Sequence, residues 1–96
     1  MSVRERIFNR LEQVFSPIYL NVNDFSERHV GHAGYREGGG SHIEVIIVWD
    51  GFEGVPLMDR HRQIYKAVEA ELVNGLHALK LKTLTAGEAS KRNIVF

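Results

Sequence analysis

The sequence predicts an α+β fold of order αββαβα, a three-stranded mixed sheet with helices packed on one face. Three observations lead there. Segments with helical spacing of apolar residues alternate with segments of period two. A Ser/Thr-x-x-Glu pattern occurs at both Ser2–Glu5 and Thr85–Glu88, where it marks helix starts. A long helical segment separates the second and third β-like segments. It is the kind of crossover that joins parallel strands, and such crossovers are right-handed. At 96 residues the chain suits one domain, taken as residues 1–96.

The first helix starts at Ser2, whose side chain can cap it while Glu5 reaches back. Val3, Ile7, Leu11 and Val14 form its apolar stripe, widened by Phe8 and Phe15. Ser16-Pro17 ends it, because a residue before proline avoids the α region. Ile18 to Asp24 alternates, with Ile18, Leu20 and Val22 on one side and Tyr19, Asn21 and Asn23 on the other. Phe25 to Ser41 has no period and contains five glycines; loops of that length in small domains are often functional. His42 to Trp49 is rich in Val and Ile and reads as a central strand.

Pro56 opens the second helix, with Leu57, Ile64, Val68 and Leu72 as its buried stripe and Met58, His61, Tyr65 and Val73 beside it. Asn74-Gly75 stops it, since both residues tolerate the left-handed conformation. Ala78 to Leu84 alternates again, Leu79 and Leu81 inward against Lys80 and Lys82 outward. Thr85 then caps a short last helix, with Ile94 and Phe96 expected to pack behind it.

Composition narrows the function. The 44% hydrophobic and 25% charged content belongs to an ordinary globular chain and not to a disordered one. Twelve basic residues balance twelve acidic ones, which argues against a protein devoted to gripping nucleic-acid phosphates. There is no cysteine, so no disulfide, thiolate nucleophile or metal site can come from the chain's own thiols. No apolar signal core and no run near the roughly 20 residues of a spanning helix is present. The expectation is a cytoplasmic chain with no membrane association.

Five histidines are then the remaining metal donors. His29, His32 and His42 lie in or beside the glycine-rich segment, and His77 precedes the third strand. Neutral imidazole is a common ligand, and clustering in one segment favours that use over idle solvation. Their spacing lacks the pattern of a zinc-protease helix, so a complete metal site within this chain is not expected. Arg60-His61-Arg62 lies on the second helix, with the two arginines about 200° apart around its axis. With Lys66, Lys80 and Lys82 they offer a modest basic surface for nucleic acid or a partner. No paired carboxylates, nucleophile elbow or phosphate loop accompanies them, so an enzyme is not expected.

One resemblance spans nearly the whole chain. Gly51-Phe52-Glu53-Gly54, Pro56-Leu57-Met58-Asp59-Arg60-His61-Arg62-Gln63-Ile64-Tyr65, Glu69-Ala70-Glu71-Leu72 and His77-Ala78-Leu79 with Lys82-Thr83-Leu84-Thr85 resemble the signature of the BolA family. Ser41-His42-Ile43-Glu44-Val45 resembles that family's second-strand start, and Ser26-Glu27-Arg28-His29 the opening of its variable loop. The resemblance implies a type II KH-like domain that pairs with a monothiol glutaredoxin and shares a [2Fe–2S] cluster. The glutaredoxin and bound glutathione supply thiolates, and the BolA-like chain supplies the other ligands.

Carried over by position, His77 matches the C-terminal ligand, and the second ligand is His29 or His32. His42 ranks after them, and His61 matches a structural position on the helix. The isolated protein is expected to be a monomer without a cluster, and a heterodimer with its partner. The alternative implied by the resemblance is a DNA-binding transcriptional regulator using the KH-like surface with Arg60, Arg62, Lys80 and Lys82.

Overall fold

The computed structural model describes residues 2–25, 42–76 and 78–92. The elements run α1 (Val3–Phe15), β1 (Tyr19–Asp24), β2 (His42–Val48), a 3-10 turn (Asp50–Phe52), α2 (Leu57–Ala67), α3 (Glu69–Val73), β3 (Ala78–Leu84) and α4 (Ala86–Lys91). The sheet order is β1-β2-β3, with β1 antiparallel and β3 parallel to the central β2. This is the mixed three-stranded α+β arrangement that the sequence predicts. The expectation of helices on one face is corrected, since α4 packs on Val48 and Leu84, away from the face that carries α1 and α2.

Alternation along the strands separates two faces. Val22, Ile43, Val45 and Ile47 are buried with α1 residues Val3, Ile7, Leu11 and Phe15 and with Ile64 of α2. Leu20, Leu79 and Leu81 pack against the same core. The other face carries Asn21, Asn23, Glu44, Ile46, Lys80 and Lys82. The short α4 sits at one end of that second face, where Ala89 meets Val48 and Leu84, with Tyr19 and Ala86 alongside.

In α1 the inward stripe is Val3, Ile7, Leu11 and Phe15, an unbroken series of four-residue steps, so Val14 turns outward and is 47% exposed. Ser16 ends the helix with φ 47°, donating its N–H to the Glu12 carbonyl. The Phe15 ring meets the edge of Trp49 at 4.9 Å, and Trp49 meets Phe52 at 5.0 Å. Gly51 is required there, because a Cβ would overlap the Trp49 indole.

The second helical segment differs from its reading in two respects. Its inward stripe is Arg60 and Ile64, followed by Val68, while Leu57, Met58, Tyr65 and Val73 are exposed. The periodicity is helical, but the face is rotated, because Arg60 takes an interior place that an apolar-only template gives to Leu57. The segment also breaks at Val68 (φ −109°, ψ 17°) into α2 and α3. At the break, Glu71 N–H bonds to the Val68 carbonyl, and the Ala67 carbonyl accepts from Arg10 Nε at 3.2 Å. A side chain from α1 thus satisfies a carbonyl that the break frees. Gly75, at φ 112°, then turns the chain, and Leu76 N–H closes onto the Glu71 carbonyl.

Candidate metal and partner sites

The three proposed ligand positions, His29, His32 and His77, lie outside the described residues, as do Ile94 and Phe96. Their flanks are described. Phe25 and His42 bound the segment 26–41, and Phe25 N–H donates to the His42 carbonyl at 3.1 Å. Their rings lie 5.9 Å apart. His42 is also the register partner of Ala78, the residue after His77. The chain therefore leaves β1, returns into β2 and enters β3 at one end of the sheet.

His42 is itself buried, at 5% exposure. His61 is half-buried on α2, and its Nε2 is buried without a hydrogen-bond partner among the described residues. No group of three or more His, Asp or Glu residues suited to a metal occurs among the described residues.

The expected basic surface loses one of its members. Arg60 is only 8% exposed, so its assignment to a partner or nucleic-acid surface is corrected. Its guanidinium donates to the Val55 carbonyl at 2.8 Å, the Thr83 carbonyl at 3.0 Å and Glu88 Oε1 at 2.6 Å. It also lies over the Phe52 ring, 5.7 Å from its centroid. These contacts tie the start of α2 to the end of β3 and to α4.

Arg62 and Lys66 are exposed on α2, and Arg62 reaches Asp59 at 3.4 Å. Lys80 and Lys82 project from the opposite face of the sheet, where Lys80 lies 3.9 Å from Glu44. The two pairs thus belong to different elements, one to α2 and one to the sheet face away from the core. Arginine spacing along a helix is legible in the sequence; the interior role of Arg60 depends also on the Thr83 and Glu88 acceptors, more than twenty residues away.

Two features escaped the sequence. Glu88 is the carboxylate that receives Arg60, and the Arg60 guanidinium, then the Thr85 N–H, hold its pKa down at about 2. Its signal was the Thr85–Glu88 motif, which reveals a helix start and not a distant cation. A cleft also runs between α1 and the α2–α3 break, with adjoining cavities of about 320 and 340 Å³. Arg10, Lys66, Ala67 and Glu69 line both, and Arg6 closes one end by pairing with Glu71 at 2.9 Å. No linear motif joins α1 residues to these.

Fold and surface define a small α+β module, with α1 and α2 on one face of a mixed sheet and the short α4 at one end of the other. The chain belongs to the BolA family: the family profile described as "BolA-like protein" matches residues 11–88. It is 42% identical over 88 residues to the DNA-binding transcriptional regulator BolA of Escherichia coli (strain K12), covering 92% of this chain and 80% of that one. It is 41% identical over 87 residues to SufE-like protein 1, chloroplastic/mitochondrial, of Arabidopsis thaliana. That match covers 86% of this chain but only 24% of the larger protein's length.

The solved structure of BolA1 from Arabidopsis thaliana superposes with a TM-score of 0.80 at 34% identity, covering 92% of this chain and 96% of that one. These relatives are named as regulators or as BolA-like and SufE-like proteins. No described helix is long and apolar enough to cross a membrane.

Proposed function

We propose that this protein is a non-enzymatic adaptor that shares a [2Fe–2S] cluster with a monothiol glutaredoxin, in iron–sulfur trafficking or iron regulation. The observation that carries this reading is the common anchoring of two segments. Residues 26–41, with His29 and His32, are held at both ends by the Phe25–His42 bond, and Ala78 beside His77 registers with His42. A chain without cysteine can offer imidazole nitrogen from these positions while glutaredoxin and glutathione provide thiolate. The cluster, when bound, supplies a redox-active iron–sulfur unit. His77 and either His29 or His32 would hold it through neutral imidazole nitrogen, so protons compete with the cluster and acid weakens binding.

The test mixes the protein with a monothiol glutaredoxin, glutathione, iron and sulfide, and follows visible circular dichroism. A heterodimer spectrum should form with the native chain and disappear with His77→Ala, while far-ultraviolet dichroism stays unchanged. Separate His29→Ala and His32→Ala variants identify the second ligand. A spectrum indifferent to His77→Ala overturns the assignment.

A second reading, a DNA-binding transcriptional regulator, rests on the name of the Escherichia coli relative. Lys80 and Lys82, adjacent on one sheet face, and Arg62 on α2 are exposed cations it could use. Duplex binding that falls steeply with salt and is lost in Lys80→Gln/Lys82→Gln would carry that reading. Absence of binding at low salt would exclude it.

A further inference from the structure

β3 is an edge strand, bonded to β2 and to no other described strand. The register fixes the direction of its backbone groups. Trp49 N–H donates to the Leu84 carbonyl, so Leu84, Lys82 and Lys80 turn toward β2. Leu79, Leu81 and Thr83 therefore turn their N–H and C=O groups outward. Two of those three carbonyls are already occupied, both from α2. Arg60 Nη1 donates to the Thr83 carbonyl at 3.0 Å, and the Tyr65 hydroxyl to the Leu79 carbonyl at 3.5 Å.

Thr83 is 2% exposed, so that end of the edge is closed. Leu79 and Leu81 are only partly covered, with exposed Lys80 between them. Among the described residues, nothing accepts from the outward N–H groups of Leu79 and Leu81 or donates to the Leu81 carbonyl. The open stretch consequently offers two N–H donors against one unused carbonyl, and this imbalance favours an acceptor-rich visitor.

Charge narrows the visitor further. Lys80 and Lys82 flank the stretch on the open face, and Lys82 has no acidic partner among the described residues. Lysines of this kind blunt an edge against indiscriminate pairing. They also oppose a second copy of the chain, since an isologous pair would bring like charges together. An acidic strand meets neither obstacle.

We propose that the Leu79–Leu81 edge receives an extended acidic segment of a partner protein by strand addition. Period-two geometry places the segment's carboxylates beside Lys80 and Lys82, and its alternate, β-branched side chains beside Leu79, Leu81 and the half-exposed Tyr65 ring. Tyr65 competes for the Leu79 carbonyl and so acts as a weak local guard. This inference does not depend on cluster sharing.

The test is residue-resolved amide exchange on the full chain, without metal, using the capped peptide Glu-Val-Glu-Val-Glu-Val as probe. In the free protein, Lys80 and Lys82 amides should exchange slowly and Leu79 and Leu81 amides fast. Saturating peptide should slow the latter two by about tenfold or more. Lys80→Glu/Lys82→Glu should abolish the effect, and Tyr65→Phe should tighten binding by about two- to fivefold, because it frees an acceptor. Equal slowing by Lys-Val-Lys-Val-Lys-Val, or none with the acidic peptide, overturns the proposal. Slowing that appears without peptide as protein concentration rises also overturns it, by making a second copy the occupant.

Discussion

Ser2–Glu5 and Thr85–Glu88 are the same motif in two settings. In both, the hydroxyl accepts the N–H of the glutamate, at 3.1 Å for Ser2 and 3.2 Å for Thr85. In both, the glutamate carboxylate reaches back to the cap's own N–H, at 3.4 Å and 2.9 Å. At Ser2 the arrangement ends there, exposed to solvent, and the Ser2 N–H followed by its hydroxyl lowers the Glu5 pKa. At Thr85 the carboxylate is also gripped by Arg60, whose other bonds go to Val55 and Thr83. One motif starts a helix; the other starts a helix and locks it to the rest of the fold.

The difference follows from what each helix has beneath it. α1 spans Val3–Phe15 and buries four side chains, so its cap is an addition to an already anchored element. α4 has six residues and buries only Ala89, too little for a helix of that length to persist alone. The Arg60–Glu88 contact supplies the missing anchor. Arg60→Met should therefore have the largest effect of any change at the two motifs. It strands the Thr83 and Val55 carbonyls and releases Glu88 to solvent, with an expected loss of about 2–4 kcal/mol, most of it from the unpaired carbonyls. Denaturant unfolding measures the loss, and amide exchange should show α4 losing protection well beyond α1. Equal loss across both helices would mean that Arg60 supports the core generally and does not latch α4.

Glu88→Gln should cost less, about 1 kcal/mol, because the carboxylate side of the pair is 43% exposed and solvent screens it. Its signature is pH dependence. Glu88 titrates at about 2 in the folded chain, below an unfolded carboxyl near 4.3–4.5. The stabilisation is thus complete above about pH 4.5 and is lost as pH falls toward and through 2. Urea unfolding at pH 6, 4 and 3 should show a declining stability in the native chain and a shallower decline in Glu88→Gln. Parallel declines would place the acid sensitivity elsewhere.

This contrast also marks how far the sequence could be read. Helix starts at Ser2 and Thr85, the stop at Asn74-Gly75 and the alternation of β1 and β3 depend on neighbours a few residues apart, and each was legible. Arg60 was not. A basic residue between His61 and Asp59 looks solvated unless the acceptors at Val55, Thr83 and Glu88 are known to converge on it. The same gap moved Leu57 from the interior to the surface and hid the break at Val68, whose freed Ala67 carbonyl is met by Arg10 from another helix. Lys80 and Lys82 were read onto one face, and they share it. That Arg62 and Lys66 lie across the sheet from them required the topology. The candidate ligands His77 and His29 or His32 rest on resemblance and fall outside the described residues, so their test is chemical.

The smallest expected effect sharpens the comparison most directly. Ser2→Ala removes an exposed cap and should cost roughly 0.5–1 kcal/mol. Because Ser2 and Glu5 touch nothing that Arg60 touches, the Ser2→Ala and Arg60→Met losses should add to within about 0.5 kcal/mol. Thr85→Ala combined with Arg60→Met should not add. Both changes loosen Glu88, so the second removes part of what the first has already lost. A double-mutant cycle on each pair measures this with no assumption about absolute energies. Coupling confined to the Thr85 pair would show that the motif's contribution is set by the residue that reaches its glutamate. Equal coupling in both pairs would mean that α1 senses the Arg60 contacts through the core, and the two helices would then have to be treated as one cooperative unit.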